Sequence, residues 1–469
     1  WVDMPKTFTH FHPLGYVLVV MLGAGVAERA GLFASGIRKA MGGVSSAMLT
    51  PLVALVAMLS NHAADAGYVV MIPLAAIIFA SAGRHPLAGI AAAFAGVSGG
   101  FSANIAPGQL DALLFGITEA AVEGSGLPSG WSVNFAGNWT FIFVLMVIYL
   151  PVIWFVTDKI IEPKLGKWAP DTQDAMSYAD ENKPLTDAQN KGLKWAGLAI
   201  LGVCALWALM TFAPGTPLLA DENLFDPETG KRLLDAAGNP VTQEWYVTAG
   251  PFFRSLVAAF MILFLAAGWA YGRAAGTIKN HRDLVDMMAE GMKDMGYYLV
   301  LAFAAAHFVA MFNWSNLGII SAIHGADAIE ASGLPLPIVI GLMVLLAALL
   351  NLFVGSASAK WALLAPVLVP MFMLLGLSPE AATAAYRVGD GATNIITPLM
   401  VYFPLVLIFA RRWKKDYGLG SLTAMMIPYS VWMLITGVIL MMVWIWLGLS
   451  FGVDLGPGAP VGFELSAAN

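Results

Sequence analysis

Cysteine is almost absent from this chain, which limits the ways in which the fold can be stabilised. Cys204 is the one cysteine, so no internal disulfide can form, and its apolar surroundings suit a packing residue. Charged residues are also scarce, at 12% of the 469 residues, about half the roughly 25% of a soluble globular domain. A surface so poor in charge excludes an ordinary soluble globular protein.

The motifs of several functional classes are missing as well. No Gly-rich loop ending in Gly-Lys-Ser/Thr occurs, so the chain is not expected to hydrolyse ATP itself. The His-Glu-x-x-His pattern of a metalloprotease helix is absent, and no basic patch indicates a nucleic-acid partner. The chain begins at Trp1 without a signal-peptide pattern, and we expect an upstream segment, such as one more span, to precede it.

Long apolar stretches are the dominant feature of what is present. Hydrophobic residues make up 59% of the chain, and the mean hydropathy is +0.74. Most of these stretches can cross a hydrocarbon core of about 30 Å as helices. The sequence therefore predicts an all-α, polytopic membrane protein. Its eight predicted spans are 12–27, 87–106, 139–157, 195–213, 251–272, 296–312, 379–410 and 422–449.

Two further apolar stretches, 47–83 and 336–376, are interrupted in the middle. The interruptions run over Ser60–Asp65 and Val354–Lys360. Each half is too short to span a membrane alone, so we interpret both stretches as re-entrant helical hairpins. Backbone at such a hairpin tip is tolerated only where protein or water satisfies it.

Clusters of Lys and Arg predict the orientation, because basic loops stay on the cytoplasmic side. The loops 158–194 and 273–294 are rich in these residues, whereas 214–251 carries mostly acids. Both ends then face outward, the first hairpin enters from the cytoplasm and the second enters from outside. The basic residues used are Arg29, Arg38, Lys39, Lys159, Lys164, Lys167, Arg273, Lys279, Arg282, Arg411, Arg412, Lys414 and Lys415.

An internal repeat relates the two halves of the chain. Three Pro or Gly pairs share an offset of 293 residues, namely Pro73 with Pro366, Pro86 with Pro379 and Gly96 with Gly389. Asn-Ile dipeptides near a proline then follow at 104 and 394. The predicted loop orientation makes the repeat inverted, and inverted repeats with broken helices bind substrate and ions at their interface. We expect the unwound stretches to be Gly96–Gly108 and Gly389–Pro398.

The repeat also organises the chain into predicted units. The first repeat is 1–157, with a hairpin at 41–84 and a broken span at 86–107. The second is 296–410, with a hairpin at 336–376 and a broken span at 379–410. The remaining units are a cytoplasmic connector at 158–194, frame and dimer spans at 195–295 with a periplasmic loop at 214–250, and a last span with an outer tail at 411–469.

Four segments resemble the p-aminobenzoyl-glutamate transporter (AbgT) family: PLGYVLVVMLGAGVAERAGL, SNHAADAGYVVMIPL, GSASAKWALLAPVLVPMF and YRVGDGATNIITPLM. The resemblance covers essentially the whole chain. It implies a dimeric carrier of the bacterial inner membrane, with nine spans and two hairpins. It also implies uptake of p-aminobenzoyl-glutamate, a folate fragment, or export of sulfonamide antimetabolites. Residues that match the family's functional positions are Asp65, Ser358, Trp361, Pro379, Arg387, Asp390 and Pro398, and Asn351 matches its cation site.

Charged residues inside apolar stretches are the first candidates for the transport chemistry, because an unpaired charge there is costly. We interpret Asp65 and Asp390 as carriers of a cation or proton. The structural alternative is an ion pair between Arg387 and Asp390, one helical turn apart. Lys360 lies beside the second hairpin tip and is expected to extend outward, away from the site.

An aryl carboxylate is the substrate class that these residues favour. Arg387 can hold a carboxylate through its planar fork. Trp361 can stack on an aromatic ring, although it could equally be an interfacial anchor. The predicted substrate residues are Asp65, Ser358, Trp361, Arg387, Pro398 and Asn61.

The coupling ion is the other expected ligand. Neutral oxygens at the breaks suit Na⁺, a hard cation, although the same side chains could cap helices. The predicted ion-coupling residues are Asp390, Asn351, Asn394 and Ser356, with Na⁺ possible at Asn351, Asp390 and Asn394 and no other cofactor expected.

Several functions remain open at this point. The leading interpretation is a secondary carrier, and the first alternative is a Na⁺-coupled dicarboxylate carrier of similar two-hairpin architecture. A channel and an intramembrane enzyme using Ser356 or Ser358 with Lys360 are the others. Transport direction and the choice between Na⁺ and H⁺ also stay open. We further expect a carrier unit (41–107 and 336–400) to move against a frame of the spans 139–157, 195–213 and 251–272, which also forms a homodimer contact.

Overall fold

A computed structural model describes residues 2–41, 48–63, 67–127, 135–168, 185–213, 218–219, 250–400 and 402–452, and these residues contain no β-strand. The helices in the first half are α1 Met4–Thr9, α2 His12–Ala30, α3 Leu32–Met41, α4 Leu49–Leu59, α5 Ile72–Ser81, α6 Pro86–Gly100, α7 Gln109–Gly124, α8 Trp139–Phe155, α9 Glu162–Leu165 and α10 Asp187–Phe212. Those in the second half are α11 Gly250–Ala275, α12 His281–Asp294, α13 Gly296–Trp314, α14 Leu317–Ala331, α15 Leu336–Asn351, α16 Ala357–Leu374, α17 Pro379–Thr393, α18 Phe403–Trp413 and α19 Leu419–Trp446. The all-α prediction is confirmed for this part of the chain.

Among the described residues, five helical segments are long and apolar enough to cross a membrane. They are Trp139–Leu165, Asp187–Phe212, Ser255–Ala275, Ala357–Leu374 and Leu419–Trp446. Four of them fall on predicted spans. The segment Ala357–Leu374 is α16, the second half of a predicted hairpin. It has 18 residues, so the expectation that each half is too short to span a membrane is wrong for this half. The reason is that the interruption is short, at 352–356, so the two halves keep 16 and 18 residues in their helices.

Helix pairs flank both predicted interruptions. In the first half, α4 is followed by a 3₁₀ turn at Ser60–Ala63 and a π-helical turn at Gly67–Met71 before α5 begins. In the second half, α15 ends at Asn351 and α16 begins at Ala357. Each pair packs on the next helix along the chain, α6 or α17. Whether the pairs are re-entrant in a bilayer stays a prediction.

Both predicted broken spans contain a break, but it comes later than expected. The helices α6 and α17 continue through Gly96 and Gly389, and the described parts of the breaks lie at 101–108 and 394–400. The prediction that unwinding starts at these two glycines is wrong, because the glycines allow close helix packing instead. A Cβ at Gly96 would lie 2.7 Å from the Ala57 Cβ, and one at Gly389 would collide with the Val344 carbonyl oxygen.

The helix bounds repeat at the offset seen in the sequence. The helices α6 and α17 each have 15 residues and begin at Pro86 and Pro379, which are 293 positions apart. Where the two helices meet, the Ser98 hydroxyl donates to the Gly391 carbonyl oxygen at 2.9 Å, and these residues are also 293 apart. A residue that contacts its own counterpart is expected at a pseudo-two-fold axis, so this contact supports the repeat.

The buried side chains form two main cores. The larger core contains both helix pairs, both broken spans, α8 and α19. A smaller core joins α2, α10 and α11. The structure therefore places α8 with the expected carrier unit rather than with the frame, since Phe141, Leu145 and Tyr149 are buried in the larger core.

Loops that are predicted to be cytoplasmic lie at one end of the molecule. The Lys39 ammonium donates to the Asn190 side chain at 3.3 Å, and the Thr277 hydroxyl donates to the Ala30 carbonyl oxygen at 3.0 Å. The Arg84 guanidinium pairs with Asp158 at 2.6 Å. These contacts agree with the predicted grouping of loops, while the side of the membrane stays a prediction.

Cysteine labelling tests that side. With Cys204 replaced by Ser, single cysteines at Lys164 and Ser332 would report the two ends, because both positions are exposed. We expect an impermeant maleimide added to intact cells to label Ser332→Cys and to leave Lys164→Cys unlabelled until the cells are opened. Labelling of Lys164→Cys from outside would reverse the predicted topology.

Candidate functional site

A buried ion pair lies at the end of the helix that precedes the second break. Asp390 is fully buried in the last turn of α17, and its carboxylate pairs with the ammonium of Lys360 on α16. Lys360 is only 2% exposed, so the expectation that it extends outward is wrong. The physical reason is that a buried carboxylate needs a compensating charge, and Lys360 is the cation that this fold brings to it.

Two asparagines complete a network around the pair. The Asn394 side-chain amide donates to the second Asp390 carboxylate oxygen at 3.0 Å. The Asn351 amide nitrogen lies 2.8 Å from the Asn394 side-chain oxygen and 2.9 Å from the Asp390 carbonyl oxygen. Lys360 in turn donates to the Asn351 side-chain oxygen. The structure thus brings together three of the predicted ion-coupling residues, Asp390, Asn351 and Asn394.

The oxygen atoms of this network fit a small cation. The Lys360 ammonium lies between the Asn351 Oδ1 and Asp390 Oδ1 atoms, so the predicted donor set already holds one positive charge. A carboxylate with amide oxygens is also a donor set of the kind that hard cations take. In the described state the Lys360 ammonium occupies the Asn351 and Asp390 oxygens, so Na⁺ at Asn351, Asp390 and Asn394 stays a prediction. Ser356 is separate from this network, because its hydroxyl caps α16 by accepting from the Ala359 N–H at 3.4 Å.

Arg387 is paired with a residue that the sequence analysis did not single out. Its guanidinium binds the carboxylate of Asp111 on α7 and donates to the Phe101 carbonyl oxygen at 2.9 Å. The alternative of an Arg387–Asp390 pair is therefore wrong, because Asp390 binds Lys360 instead. The missed signal was local: Gly108 and Asp111 have the spacing of a helix N-terminus with an acid at its third position.

Trp361 is fully buried, which rules out the alternative of an interfacial anchor. Its ring stacks on Tyr386 with centroids 4.6 Å apart and planes 25° apart. Its indole N–H donates to the Thr118 hydroxyl at 2.9 Å, and that hydroxyl is 2.9 Å from the one of Thr383. Stacking on a substrate stays a prediction, and it requires a rearrangement because Tyr386 covers one face of the ring.

Two clefts open beside the Arg387–Asp111 pair. We name them the Arg387 cleft and the Asn61 cleft. The Arg387 cleft is lined by Asp111, Leu114, Phe115, Thr118, Phe135, Asn138, Glu380, Thr383 and Arg387. The Asn61 cleft is lined by Asn61, His62, Gly100, Phe101, Asn104, Gly108, Leu110 and Asp111. Asp111 therefore lines both clefts.

The other predicted residues lie around the two breaks. Asn61 donates to the Val97 carbonyl oxygen at 2.6 Å, as Asn351 does to that of Asp390, and the two carbonyls occupy repeat-related positions. Ser358 lies near the start of α16, with its hydroxyl 3.5 Å from that of Ser356. Pro398 is exposed in the second break, and Pro379 opens α17. Asp65 lies outside the described residues.

The geometry now defines a class of protein. Apolar helices of membrane-crossing length, repeated helices broken near their ends and buried charges beside clefts are the features of a multi-pass membrane transporter. The sequence profile of the AbgT putative transporter family matches residues 1–463. The chain belongs to this family, which confirms the resemblance seen in the sequence.

Individual relatives agree with the family assignment. The p-aminobenzoyl-glutamate transport protein of Escherichia coli K12 is 37% identical over 454 residues, which cover 96% of this chain and 83% of that protein. The crystal structure of the Alcanivorax borkumensis YdaH transporter, described as having an unusual topology, has a TM-score of 0.83 at 40% identity and matches 96% of this chain and 89% of that one. Neisseria gonorrhoeae MtrF, described within a class of antimetabolite efflux pumps, has a TM-score of 0.85 at 41% identity and matches 98% of this chain and 86% of that one.

Proposed function

We propose that this transporter is a secondary carrier for aryl carboxylates of the p-aminobenzoyl-glutamate type and for sulfonamide antimetabolites. The observation that carries the proposal is the buried guanidinium of Arg387 in a cleft that is lined by residues from both halves of the chain. A guanidinium recognises a carboxylate or another planar anion through two parallel hydrogen bonds. The E. coli relative and MtrF, through the substrates that their descriptions name, support the choice of substrate class.

We propose that coupling to an ion gradient runs through the network of Asp390, Lys360, Asn351 and Asn394. Buried ionisable groups inside membrane helices mark ion and proton pathways more often than structural sites. The cation can be Na⁺, for which the oxygens are suitable ligands, or H⁺. In either case, a cation that enters must replace the Lys360 ammonium or share the Asp390 carboxylate with it, because this one carboxylate binds Lys360 in the described state.

Two further parts of the proposal rest on the architecture around the site, and two rest on the family. The two broken helices, α6 and α17, have equal lengths and begin 293 positions apart, which favours an inverted repeat with two re-entrant hairpins. The separate core of α2, α10 and α11 favours a frame against which the larger core moves. A homodimer, formed through α10 and α11, and a place in the bacterial inner membrane follow from the family resemblance.

Transport into sealed vesicles tests the function. We expect purified protein in liposomes to carry p-aminobenzoyl-glutamate with saturation and to concentrate it when a Na⁺ or a pH gradient is imposed separately. Arg387→Gln is expected to lose most of this flux, because it removes the carboxylate partner. Protein-free liposomes control for leak.

The same assay separates the alternatives. Faster saturable flux of an aliphatic dicarboxylate such as succinate would favour a dicarboxylate carrier and contradict the aryl proposal. Flux that never saturates would indicate a channel. Release of p-aminobenzoate from p-aminobenzoyl-glutamate would indicate an enzyme, although the Lys360 ammonium binds Asp390 and Asn351 rather than serving a serine.

A further inference from the structure

Two buried polar atoms in the Arg387 cleft have no hydrogen-bond partner in the described part of the chain. They are the Arg387 Nε, a donor, and the Asn138 Oδ1, an acceptor. Both residues line the same cleft, and the Arg387 side chain is only 3% exposed. Buried polar groups are nearly always paired, because leaving one unpaired costs free energy. An unpaired donor and an unpaired acceptor in one cleft indicate a ligand that carries both complementary groups.

Asp111, which lines the same cleft, has a separate partner for each of its carboxylate oxygens. One carboxylate oxygen binds Arg387, and the other accepts from the Gly108 N–H at 2.7 Å. The second contact belongs to the N-terminus of α7, where backbone N–H groups and the helix dipole stabilise a negative charge. Asp111 could therefore give up Arg387 and remain a stabilised carboxylate. It also lines the Asn61 cleft, which offers space on its other side.

The charges around the Arg387 guanidinium determine whether Asp111 must release it when a ligand binds. A ligand carboxylate added to the Arg387 Nε, with Asp111 still in place, would put two anions on one buried guanidinium. Like charges in a poorly solvated site repel strongly. If the ligand carboxylate instead replaces Asp111, the number of carboxylates that bind the guanidinium does not change.

We propose that Asp111 is an internal competitor that holds Arg387 until a substrate carboxylate takes its place, while Asn138 accepts an N–H of the same substrate. The proposal rests on the proposed function and deepens it. The ligand class is a carboxylate with a neighbouring N–H, such as an N-acyl amino acid. The amide N–H and carboxylates of p-aminobenzoyl-glutamate have this chemistry. The pair of Asp111 and Arg387 thus becomes a specificity device rather than a structural link.

Binding by the full chain in nanodiscs tests the exchange, with Asp111→Asn as the variant. Asparagine has the same shape and can still accept from the Gly108 N–H, but it competes poorly for Arg387. We expect the Kd for p-aminobenzoyl-glutamate to fall about fivefold or more, the size of a typical coupling between two ligands of one site. The Kd for p-aminobenzamide, which has no carboxylate, should stay the same. An unchanged or higher Kd for the acid would overturn the proposal.

A second variant tests the ligand's N–H and does not depend on how well Asp111→Asn folds. Asn138→Leu removes the unpaired acceptor at similar volume. It should raise the Kd for p-aminobenzoyl-glutamate and leave that for glutarate, a dicarboxylate without N–H, unchanged. Equal losses for both ligands would contradict the assignment of Asn138.

The ligand panel also separates this proposal from the proposed function. If the wild type binds glutarate but not p-aminobenzoyl-glutamate, the proposed aryl substrate class is wrong. The effect of Asp111→Asn on the Kd for glutarate would still test whether a ligand carboxylate replaces Asp111 at Arg387. If no carboxylate binds either to the wild type or to Asp111→Asn, the carboxylate subsite itself is wrong.

Discussion

Replacing Lys360 with methionine is expected to lower the free energy of unfolding by about 3–5 kcal/mol, the usual cost of removing one partner of a buried ion pair. The methionine keeps most of the volume of the lysine stem but leaves the Asp390 carboxylate charged and fully buried. The Asn394 amide would remain as one hydrogen-bond partner. Thermal unfolding of the purified protein in detergent measures the loss.

The double variant Lys360→Met/Asp390→Asn is the matched control. It removes both charges, so we expect it to recover most of the stability, since a neutral pair of similar volume is often as stable as the buried ion pair. Gradient-driven flux should still be absent, because the proposed coupling carboxylate is gone. Concentrative transport by this double variant would remove Asp390 from the coupling mechanism. Full stability of the single variant would show that the pair contributes nothing to the fold.

Gly389→Ala is expected to have the second largest effect on stability. The added Cβ would collide with the Val344 carbonyl oxygen and lie 2.9 Å from the Ala347 Cβ. Backbone atoms cannot turn aside as a side chain can, so α17 would have to move away from α15. Overpacking of this kind costs about 1–3 kcal/mol and sometimes more. A shift of α17 would also displace Arg387 and Asp390, so flux should fall with stability.

Two glycines provide the comparison for this effect. Gly96 is the repeat-related position, and its added Cβ would lie 2.9 Å from the Ala54 carbonyl oxygen, so Gly96→Ala should destabilise as well. A Cβ at Gly202 in α10 would meet nothing within 4 Å. Gly202→Ala should therefore gain about 0.5–1 kcal/mol, the intrinsic advantage of alanine in a helix. Equal unfolding temperatures for Gly389→Ala and Gly202→Ala would show that α17 does not depend on close packing at Gly389.

The positions of the main helices could be predicted from the sequence because they depend on local chemistry. Long apolar runs predict helices of membrane-crossing length, and the runs at 139–157 and 422–449 correspond to α8 and α19. Proline at a first helical turn fixes a start, so Pro86 and Pro379 mark where α6 and α17 begin. The 293-residue offset could be seen in the sequence for the same reason, because it compares the positions of prolines and glycines in the two halves of the chain.

A local signal can also indicate a feature without giving its cause. Glycine at positions 96 and 389 indicated a special feature of the helix, but Gly96 and Gly389 permit both unwinding of the helix and close approach of a neighbouring helix. The choice between them depends on the neighbouring helix, and α4 and α15 lie where close approach is needed. The helix α7 was missed because Gly108, which precedes it, was taken as the end of an unwound stretch.

The sequence by itself thus determined an all-α membrane protein with two interruptions near Ser60 and Gly355, and with charges inside apolar stretches at Arg387 and Asp390. Only the tertiary structure decided which charges meet. Asp390 binds Lys360, 30 positions away, and Arg387 binds Asp111, 276 positions away. Charge and hydropathy show that a buried ion needs a partner, but the crossing of distant helices determines which partner is within reach.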